Sequence, residues 1–255
     1  MMKRNWFGMA AGVLAMGMTA MAAEPAASAD PVFHLAFDEE QPGAAACVDR
    51  MNPERVCKFT NPKRCSFAPG RVGNALMLDN PKEANGTADN PNVWIDVPRF
   101  WDMDYTKALS IEVWVRMAQD IPNYKRCLMY IVKCGGQYGP GFSLYYNSAN
   151  FMFQTGNGKP EVKVRVVAPV ADLRGQWVHI AATYDGEKKT ARLYLNGECV
   201  KENTDFVIVP TNRNQRLEIG SNGNSRGWRG AIDDLKIYKR VLTPAEILEH
   251  AKGEL

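Results

Sequence analysis

Histidine is scarce in this 255-residue sequence, and closely paired cysteines are missing. The three histidines, His34, His179 and His250, stand far apart, and none of the six cysteines belongs to a CxxC motif. Zinc sites in proteins are usually built from closely spaced Cys and His ligands. The sequence therefore does not predict a zinc site.

Net charge is also low, and long apolar runs are rare. The formal net charge is +3, and it falls by two, to +1, without residues 1–22, which contain Lys3 and Arg4 and no acidic residue. A chain this close to neutral has no overall field that attracts nucleic acid. After residue 22 no segment is long and apolar enough to span a bilayer. We therefore expect no nucleic-acid partner and no transmembrane anchor in the mature chain.

The one long apolar run has the organisation of an export signal. Lys3 and Arg4 precede an apolar stretch from Trp6 to Met21, and Ala20-Met21-Ala22 supplies a small-x-small cleavage pattern. The Pro/Ala-rich residues that follow predict a flexible leader. We expect a signal peptide over residues 1–22, a leader over 23–31, a single domain over 32–252, and an exported protein that is periplasmic or extracellular.

An even number of cysteines in an exported chain favours disulfide bonds. The six disulfide candidates are Cys47, Cys57, Cys65, Cys127, Cys134 and Cys199. Cys127 and Cys134 bracket a stretch of strand composition, which would hold them over about 20 Å apart and beyond bridging distance. Each then needs a distant partner, and the connectivity stays open.

Short segments of strand composition, separated by turn residues, run through most of the chain. The clearest pair, Trp177 to Tyr184 and Arg192 to Leu195, is joined by a turn with Asp185-Gly186, and Asn196-Gly197 marks a second tight turn. About a dozen such strands without helical periodicity between them exclude a βαβ architecture. The stretch from Asp38 to Arg71, rich in proline, asparagine and charge, is predicted to be a long surface loop.

One helix is predicted, at the C-terminal end of the domain. Thr243-Pro244-Ala245-Glu246 has the pattern of a capping box with proline at the first helical position. Gly253 is a suitable stop for this helix. We expect the helix to cover an end of the β-domain.

Five segments, taken in order, resemble one family. They are Arg71 to Leu76, Ser110 to Val115, Gly175 to Gly186 with Arg192 to Gly197, Leu217 to Gly220, and Gly230 to Tyr238. Together they resemble the laminin-G-like group of the concanavalin A-like lectin/glucanase superfamily over most of Val32 to His250. The resemblance implies an all-β fold, a two-sheet antiparallel jelly-roll sandwich with a short C-terminal helix. It does not specify a ligand, because the superfamily contains lectins, adhesins, enzymes and spacers.

Strand alternation divides the side chains into two faces. Ile111, Val113 and Val115 share one side of their strand, and two stacked sheets would bury that side and present Glu112 outward. Aromatic rings can stack on the C–H faces of sugars while neighbouring polar groups bind hydroxyls, so the outer face and the loops predict a glycan-binding surface. The candidate ligand contacts are Trp228, Trp101, Tyr138, Tyr124, Arg116, Arg192 and Glu112, with Trp228 preferred.

The carboxylate pair of the superfamily's glucanases is missing. Retaining hydrolysis needs two carboxyl groups about 5–5.5 Å apart, which the glucanases carry in E-x-D-x-E or E-x-D-x-x-E strands. Here the matching strand offers Glu112 alone, and we expect a structural hydrogen bond for His179. We therefore expect a non-catalytic recognition module whose partner is a glycan or a cell-surface protein. A polysaccharide hydrolase or lyase and a structural envelope domain without a small ligand are the open alternatives.

The resemblance also implies one structural calcium ion between the first strand, the glycine-containing segment and the last strand. The matching positions are Asp38 or Glu39, the Gly73 carbonyl and Asp233. Carboxylate and carbonyl oxygens are the ligands that Ca²⁺ prefers. The alternative is that Asp38 and Asp233 only cap strand ends.

Overall fold

The structure is a computed structural model of the chain. It describes residues 30–38, 42–82, 91–98, 104–135, 140–156, 163–209, 216–223 and 225–253. The predicted signal peptide lies outside the described residues, as do leader residues 23–29 and the candidate side chains Glu39, Trp101 and Tyr138.

The described residues form two antiparallel sheets and one α-helix. In chain order the elements are β1 (Phe33–Leu35), β2 (Ala46–Asp49), β3 (Asn52–Phe59), β4 (Cys65–Pro69), β5 (Asn74–Asp79), β6 (Ile95–Val97), β7 (Ala108–Met117), β8 (Leu128–Gly135), β9 (Gly141–Asn147), β10 (Asn150–Gly156), β11 (Lys163–Pro169), β12 (Trp177–Asp185), β13 (Thr190–Leu195), β14 (Glu198–Asn203), β15 (Leu217–Ile219), β16 (Arg229–Tyr238) and α1 (Pro244–Lys252). The first sheet has the order β14-β13-β12-β7-β16-β5-β4, with β1 paired to β16. The second has the order β11-β10-β9-β8-β15-β6-β3-β2. The predicted all-β, two-sheet architecture is confirmed.

The core lies between the two sheets and is built from the aliphatic face that strand alternation predicts. Val113 on β7, Ile180 on β12 and Leu193 on β13 are each 0 % exposed. They pack in one cluster with inward side chains of the second sheet, including Ile131 and Phe153. Each such side chain contributes about 1.5–3 kcal/mol on burial. The period-two pattern therefore identified the buried face of the central strands correctly.

The segment from Asp38 to Arg71 contains three strands, so the prediction of a long loop is wrong. β2 and β3 pair at the edge of the second sheet, and β4 pairs with β5 in the first. Cys57 and Phe59 are the two buried side chains of β3. An edge strand needs few apolar residues and tolerates proline and charge, so its composition resembles that of a loop.

The C-terminal helix begins and ends as its sequence predicts, but its position differs. Thr243 and Glu246 form a reciprocal capping box, and Gly253 closes the helix in the left-handed conformation with φ 69°. Ile247 packs with Tyr194 and Tyr238 on the outer face of the first sheet, and not at an end of the domain. Among the described residues no helix is long and apolar enough to cross a bilayer.

The six cysteines are all described, and all are thiols in this structure. Cys134 lies in β8 in register with Phe142, and Cys127 immediately precedes the same strand. The strand that separates these two cysteines in the sequence argument is therefore present. Disulfide bonding itself stays a prediction.

Candidate functional site

The outer face of the first sheet carries a buried cluster of titratable side chains beneath α1. Glu112 on β7 accepts a hydrogen bond from the Tyr238 hydroxyl at 2.7 Å, and its second oxygen lies 2.9 Å from Nδ1 of His250 on α1. Nε2 of His179 on β12 is 3.8 Å from that second oxygen. Glu112 and His179 are each 2 % exposed. The helix closes a surface that strand alternation alone leaves open.

The charges in this cluster are set by burial and by the His250 contact. Burial raises the pKa of Glu112, but the hydrogen bond and charge of His250, together with the Tyr238 hydrogen bond, lower it. The lowering effects outweigh burial, so the pKa of Glu112 lies below its ordinary value. The same hydrogen bond raises the pKa of His250. Burial lowers the pKa of His179 to about 4. His179 is therefore neutral near pH 7, and its 3.8 Å contact with Glu112 is not an ion pair at that pH.

These positions correct two expectations from the sequence. Glu112 was expected to face solvent as a ligand contact, but its oxygens are held by Tyr238 and His250 under α1. His179 was expected to make a structural hydrogen bond. Instead its ring packs against Trp114 with centroids 5.1 Å apart, and its Nδ1 has no hydrogen-bond partner among the described residues. The rings of His179 and Trp114 therefore pack against each other beneath the surface of the sheet.

The two candidate arginines of the first sheet are partly exposed but are not brought together. The Arg116 guanidinium lies 4.9 Å from the centroid of the Trp177 ring, and Nε of Arg192 donates to Glu202 at 2.5 Å. The register aligns Arg192 with Thr183, and Thr183 in turn with Ser110 of β7. Ser110 and Arg116 are six residues apart on β7, roughly 20 Å. Arg192 therefore lies about that far from Arg116 along the strand direction. A ligand role for either arginine stays a prediction.

Trp228 lies inside the protein, which corrects its placement as an exposed loop contact. The side chain is 0 % exposed, and its Nε1–H donates to the Ala231 carbonyl at 3.0 Å. Gly227 beside it has no room for a Cβ, because Asn80 fills that space. A loop tryptophan flanked by glycine can therefore turn inward, and its loop position does not indicate exposure.

A cavity of about 300 Å³ opens at the end of the second sheet where β8 begins. Its walls come from the residue range 122–128, from Lys82 after β5, and from Arg226 in the loop between β15 and β16. The lining residues are Lys82, Pro122, Asn123, Arg126, Cys127, Leu128 and Arg226. The volume is at the lower limit of the range of about 300–1,000 Å³ that is common for small-ligand sites. Among the ligand contacts predicted from the sequence, Tyr124 is the one that lies in the segment 122–128.

Tyr124 lies in a 3₁₀ turn, Tyr124–Arg126, directly beside the lining residues. The Arg174 guanidinium lies 4.4 Å from its ring centroid, and the ring is partly buried against the core. One face of the ring is therefore already covered. Its role as a ligand contact stays a prediction, and its structural role is to support the segment that lines the cavity.

Within the part of the chain that the structure describes, the cavity lining carries three cationic side chains and no carboxylate. An acidic side chain next to it, Asp120, is already engaged, because Nζ of Lys82 lies 3.0 Å away and Arg229 binds both of its oxygens at 2.9 and 3.0 Å. Hydrogen bonds from Arg229 and Lys82 hold the pKa of Asp120 well below its ordinary value. The charge of Asp120 is thus largely offset, and the described lining residues carry a net positive charge.

A buried aromatic pair supports one wall of this cavity. Tyr130 and Tyr145 stack on the outer face of the second sheet with centroids 5.1 Å apart, and Leu128 packs against them. The backbone N–H of Tyr130 donates to the Arg226 carbonyl at 3.0 Å. The pair therefore holds both Leu128 and the Arg226 segment in place. Tyr130 and Tyr145 are each 3 % exposed, so they act as a support and not as a stacking surface for a ligand.

Sequence reasoning missed the residues that line the cavity. Lys82, Arg126 and Arg226 stand in three turns that are far apart in the chain, and only the folded structure brings them together. The one available indication was the basic flank of Trp228, to which Arg226 belongs. Trp228, the preferred ligand contact, is buried, while Arg226, two residues before it, lines the cavity.

Asp233, one of the residues expected to bind calcium, has one satisfied and one orphaned oxygen. Oδ2 accepts hydrogen bonds from the backbone N–H groups of Arg71 and Val72 at 2.7 and 2.9 Å. Oδ1 is buried and has no hydrogen-bond partner among the described residues. Burial, together with the charges of Asp234 and Asp38, raises the pKa of Asp233 to about 6. A cation beside Oδ1 would relieve both the missing contact and the repulsion.

Asp38 and Gly73 meet at the turn between β4 and β5 that Asp233 also holds. Oδ1 of Asp38 accepts a hydrogen bond from the Asn74 N–H at 2.8 Å, and Oδ2 pairs with Arg50 at 3.0 Å. Gly73 has φ 60°, and an added Cβ would collide with the Asp38 carboxylate. No group of three His, Cys, Asp or Glu side chains suited to a metal occurs in the described part of the chain. The donors here are two carboxylates and the Gly73 carbonyl, which accepts the Gly70 N–H at 2.8 Å, and oxygen donors of these kinds fit a hard cation such as Ca²⁺.

Solved structures with a similar fold include saccharide complexes. Domain 4 of AbnA, a GH43 extracellular arabinanase from Geobacillus stearothermophilus solved with arabinotriose, has a TM-score of 0.61 and 20% identity, and covers 87% of this chain and 98% of its own. The botulinum neurotoxin type G receptor-binding domain has a TM-score of 0.60 and 17% identity, over 88% and 51%. The serotype D ligand-binding domain, solved with N-acetylneuraminic acid, has a TM-score of 0.62 and 11% identity, over 88% and 51%. At these identities the similarity shows the fold alone.

Sequence comparison points to the same family. Pappalysin-1 from mouse and from human is 36% identical over 80 residues, 30% of this chain and 5% of the relative. The chain thus spans a small part of the length of these curated relatives. A family model described as the concanavalin A-like lectin/glucanases superfamily matches residues 88–248, well over half of the chain. This match, together with the two-sheet fold, shows that the chain belongs to the concanavalin A-like lectin/glucanases superfamily.

Proposed function

We propose that this protein is a non-catalytic carbohydrate-recognition module that is exported to the periplasm or beyond. The observation that carries the proposal is the cavity of about 300 Å³ beside β8, which combines apolar walls with polar donors. Relatives of this fold have been solved with arabinotriose and with N-acetylneuraminic acid. The N-terminal pattern of residues 1–22 supports export.

The lining residues have the two kinds of surface that a sugar needs. Pro122 and Leu128 offer apolar contact for C–H faces, while the Asn123 amide and the Arg126 guanidinium can bind hydroxyl groups. These groups stand on a segment whose backbone is tied down. The N–H of Arg126 donates to the Asn123 carbonyl at 2.8 Å, and Arg174 donates to the Ile121 carbonyl at 3.0 Å. A fixed segment loses little conformational freedom on binding.

The residues of the cavity and those around Glu112 both favour binding over hydrolysis. Glycosidases of the common type need two carboxyl groups across the scissile bond, and the described residues that line the cavity include none. Glu112, the acid nominated for a hydrolase or lyase, is sealed beneath α1 with both oxygens engaged. A glycan cannot reach it while the helix is docked.

We also propose that Asp38, Asp233 and the Gly73 carbonyl hold one structural Ca²⁺. The ion would be a positively charged partner for Oδ1 of Asp233, which has no hydrogen-bond partner among the described residues. Its effect would be to tie the turn between β4 and β5 to β16. Such an ion would stabilise the fold, and its site is separate from the cavity beside β8.

Binding to a glycan array, followed by calorimetry with the best saccharide, tests the recognition function. We expect Asn123→Ala to weaken binding about tenfold, the effect of one or two lost hydrogen bonds. Arg192→Ala, on the other sheet and outside the cavity, is the matched control and should bind as the wild type does. Absence of binding to any glycan would favour the alternative of a structural envelope domain. Loss of binding in Arg192→Ala alone would place the site on the first sheet.

A further inference from the structure

We infer that the saccharide recognised by this cavity is acidic, with a carboxylate or sulfate group that enters between Lys82, Arg126 and Arg226. This inference rests on the proposed function and narrows its ligand class. Three cationic side chains from three separate turns converge on one cavity of about 300 Å³. A neutral sugar does not need three cations, whereas an anion gains a charge-assisted hydrogen bond from each.

Among the described residues, the lining of the cavity contains no carboxylate. Lys82 does contact Asp120 at 3.0 Å, but Arg229 holds both oxygens of that carboxylate independently. Asp120 therefore stays paired with Arg229 when Lys82 turns toward a ligand. The Lys82 side chain is half exposed, so this movement meets little resistance.

Among the described residues, Arg126 has no ionic partner and is exposed where a ligand can reach it. It is exposed, and its guanidinium forms no ion pair with any described residue. Its backbone is fixed as the last residue of the 3₁₀ turn Tyr124–Arg126. The charge of Arg126 is therefore available at a defined position on the rim.

Arg226 lies beside the cavity in an unfavourable backbone conformation. Its φ is 57°, in the left-handed region that is unfavourable for a non-glycine residue. The Tyr130 N–H to Arg226 carbonyl bond, at 3.0 Å, keeps the segment against β8. Glycine would fit this position without strain, so an arginine here is consistent with a role for its side chain.

Calorimetry with a matched pair of probes tests the inference, for example an oligogalacturonide and its fully methyl-esterified form. A sulfated and an unsulfated oligosaccharide of one backbone form a second pair, which distinguishes carboxylate from sulfate. We expect at least one acidic probe to bind about tenfold or more tightly than its neutral counterpart, and the preference to shrink as salt rises from low to high concentration. Arg126→Gln and Lys82→Gln should each reduce the preference, whereas Lys201→Gln, an exposed control on β14, should not.

The outcomes separate the inference from the function on which it rests. Equal affinity for acidic and neutral probes, with binding still weakened by Asn123→Ala, would overturn the acidic ligand and leave glycan recognition standing. Binding of neither class, in wild type or variants, would overturn both. An acidic preference that Lys201→Gln lowers as much as Arg126→Gln does would show a general charge effect and overturn the assigned cavity.

A second and independent inference concerns the cysteines. We infer that Cys47 and Cys57 form a disulfide bond in the exported protein. They lie directly opposite each other in the β2–β3 pair, and their side chains share the buried face, with 1 % and 0 % exposed. Cα atoms of opposed antiparallel residues are about 4.5–5.5 Å apart, which is inside the range of about 4.4–6.8 Å that disulfides bridge.

The oxidation balances with a thiol–disulfide oxidoreductase as the co-reactant. The two thiols lose two protons and two electrons as the S–S bond forms, and the disulfide of the oxidoreductase is reduced to a dithiol. Peptide mapping of the exported protein, alkylated before any reduction, tests this pairing. We expect a linked peptide pair that contains Cys47 and Cys57, and a reductant should lower the melting temperature of the wild type by more than that of Cys47→Ala/Cys57→Ala. Alkylation of both cysteines, or linkage of Cys47 to any other cysteine, would overturn the inference.

Discussion

Oε2 of Glu112 on β7 lies 2.9 Å from Nδ1 of His250 on α1, across 138 residues of chain. This contact joins the C-terminal helix to a central strand of the first sheet. Tyr238 completes the enclosure by donating its hydroxyl to the other oxygen at 2.7 Å. As a result, the outer face of the first sheet is closed around Glu112, and the cavity beside β8 becomes the better candidate for ligand binding.

Replacing His250 should make stability less dependent on pH above neutrality. The pKa of His250 is raised in the folded protein by the Glu112 hydrogen bond. Its contribution to the free energy of unfolding is therefore complete below the ordinary value of about 6.5 and is lost as the pH rises through the raised value. We expect the wild type to exceed His250→Gln in stability at pH 6, and this advantage to shrink by pH 9, in urea denaturation at both pH values.

The control for this prediction is the same substitution in a Glu112→Gln background. With the carboxylate removed, His250→Gln should cost little at either pH, because the coupling between the two side chains is gone. An advantage of the wild type that is constant or grows with pH would contradict the role given to this contact.

Removing the carboxylate altogether should destabilise the fold but leave the cavity intact. Glu112→Ala leaves His250 and the Tyr238 hydroxyl without their partner beneath α1. Breaking a buried pair in this way costs about 3–5 kcal/mol, which urea denaturation at pH 6 measures. Saccharide affinity of the folded variant should equal that of the wild type. A stable Glu112→Ala protein that no longer binds its saccharide would show that the first sheet carries the site.

Trp228 should behave as a core residue. The ring is fully buried and its N–H is satisfied by Ala231, so Trp228→Ala should lower the free energy of unfolding by about 3–5 kcal/mol. Trp177→Ala removes a partly exposed ring that rests on Arg116, and it should cost clearly less. Equal losses in the two variants, or an unaffected Trp228→Ala protein, would contradict the buried placement.

Calcium should stabilise the protein through Asp233. Excess Ca²⁺ is expected to raise the melting temperature of the wild type and EGTA to reverse the effect, since ions that bind only the folded state stabilise it. Asp233→Asn should lose this response, whereas Asp172→Asn, which alters an exposed ion pair with Arg174, should keep it. A melting temperature that EGTA leaves unchanged after Ca²⁺ loading would remove the proposed ion.

The sequence predicted the architecture well because burial in a sandwich leaves a simple periodic pattern. Val113, Ile180 and Leu193 each belong to a series of apolar residues at every second position of their strand, and all three are in the core. The pattern failed where burial is sparse: β3 has eight residues and buries the side chains of two of them, Cys57 and Phe59. Edge strands of this kind carry too few apolar residues for alternation to identify them.

The candidate site could not be predicted in the same way. Glu112 lies on the outward face of β7 as alternation requires, but α1 packs over that face, and which surface a terminal helix covers is not encoded in a strand pattern. The lining of the cavity depends on contacts between turns that are distant in sequence. Arg226 and Leu128 are brought together through Tyr130, which contacts both. Such contacts follow from the tertiary structure alone.

The location of the binding site is tested most directly by an NMR titration of the isotopically labelled protein with the saccharide that binds best. We expect amide chemical shifts to change mainly for residues 122–128 and 225–228, which surround the cavity, and Asn123→Ala to reduce these changes at equal saccharide concentration. Shift changes confined to β12 and β13 around Arg192, or no changes at saturating saccharide, would contradict the proposal that this cavity is the binding site.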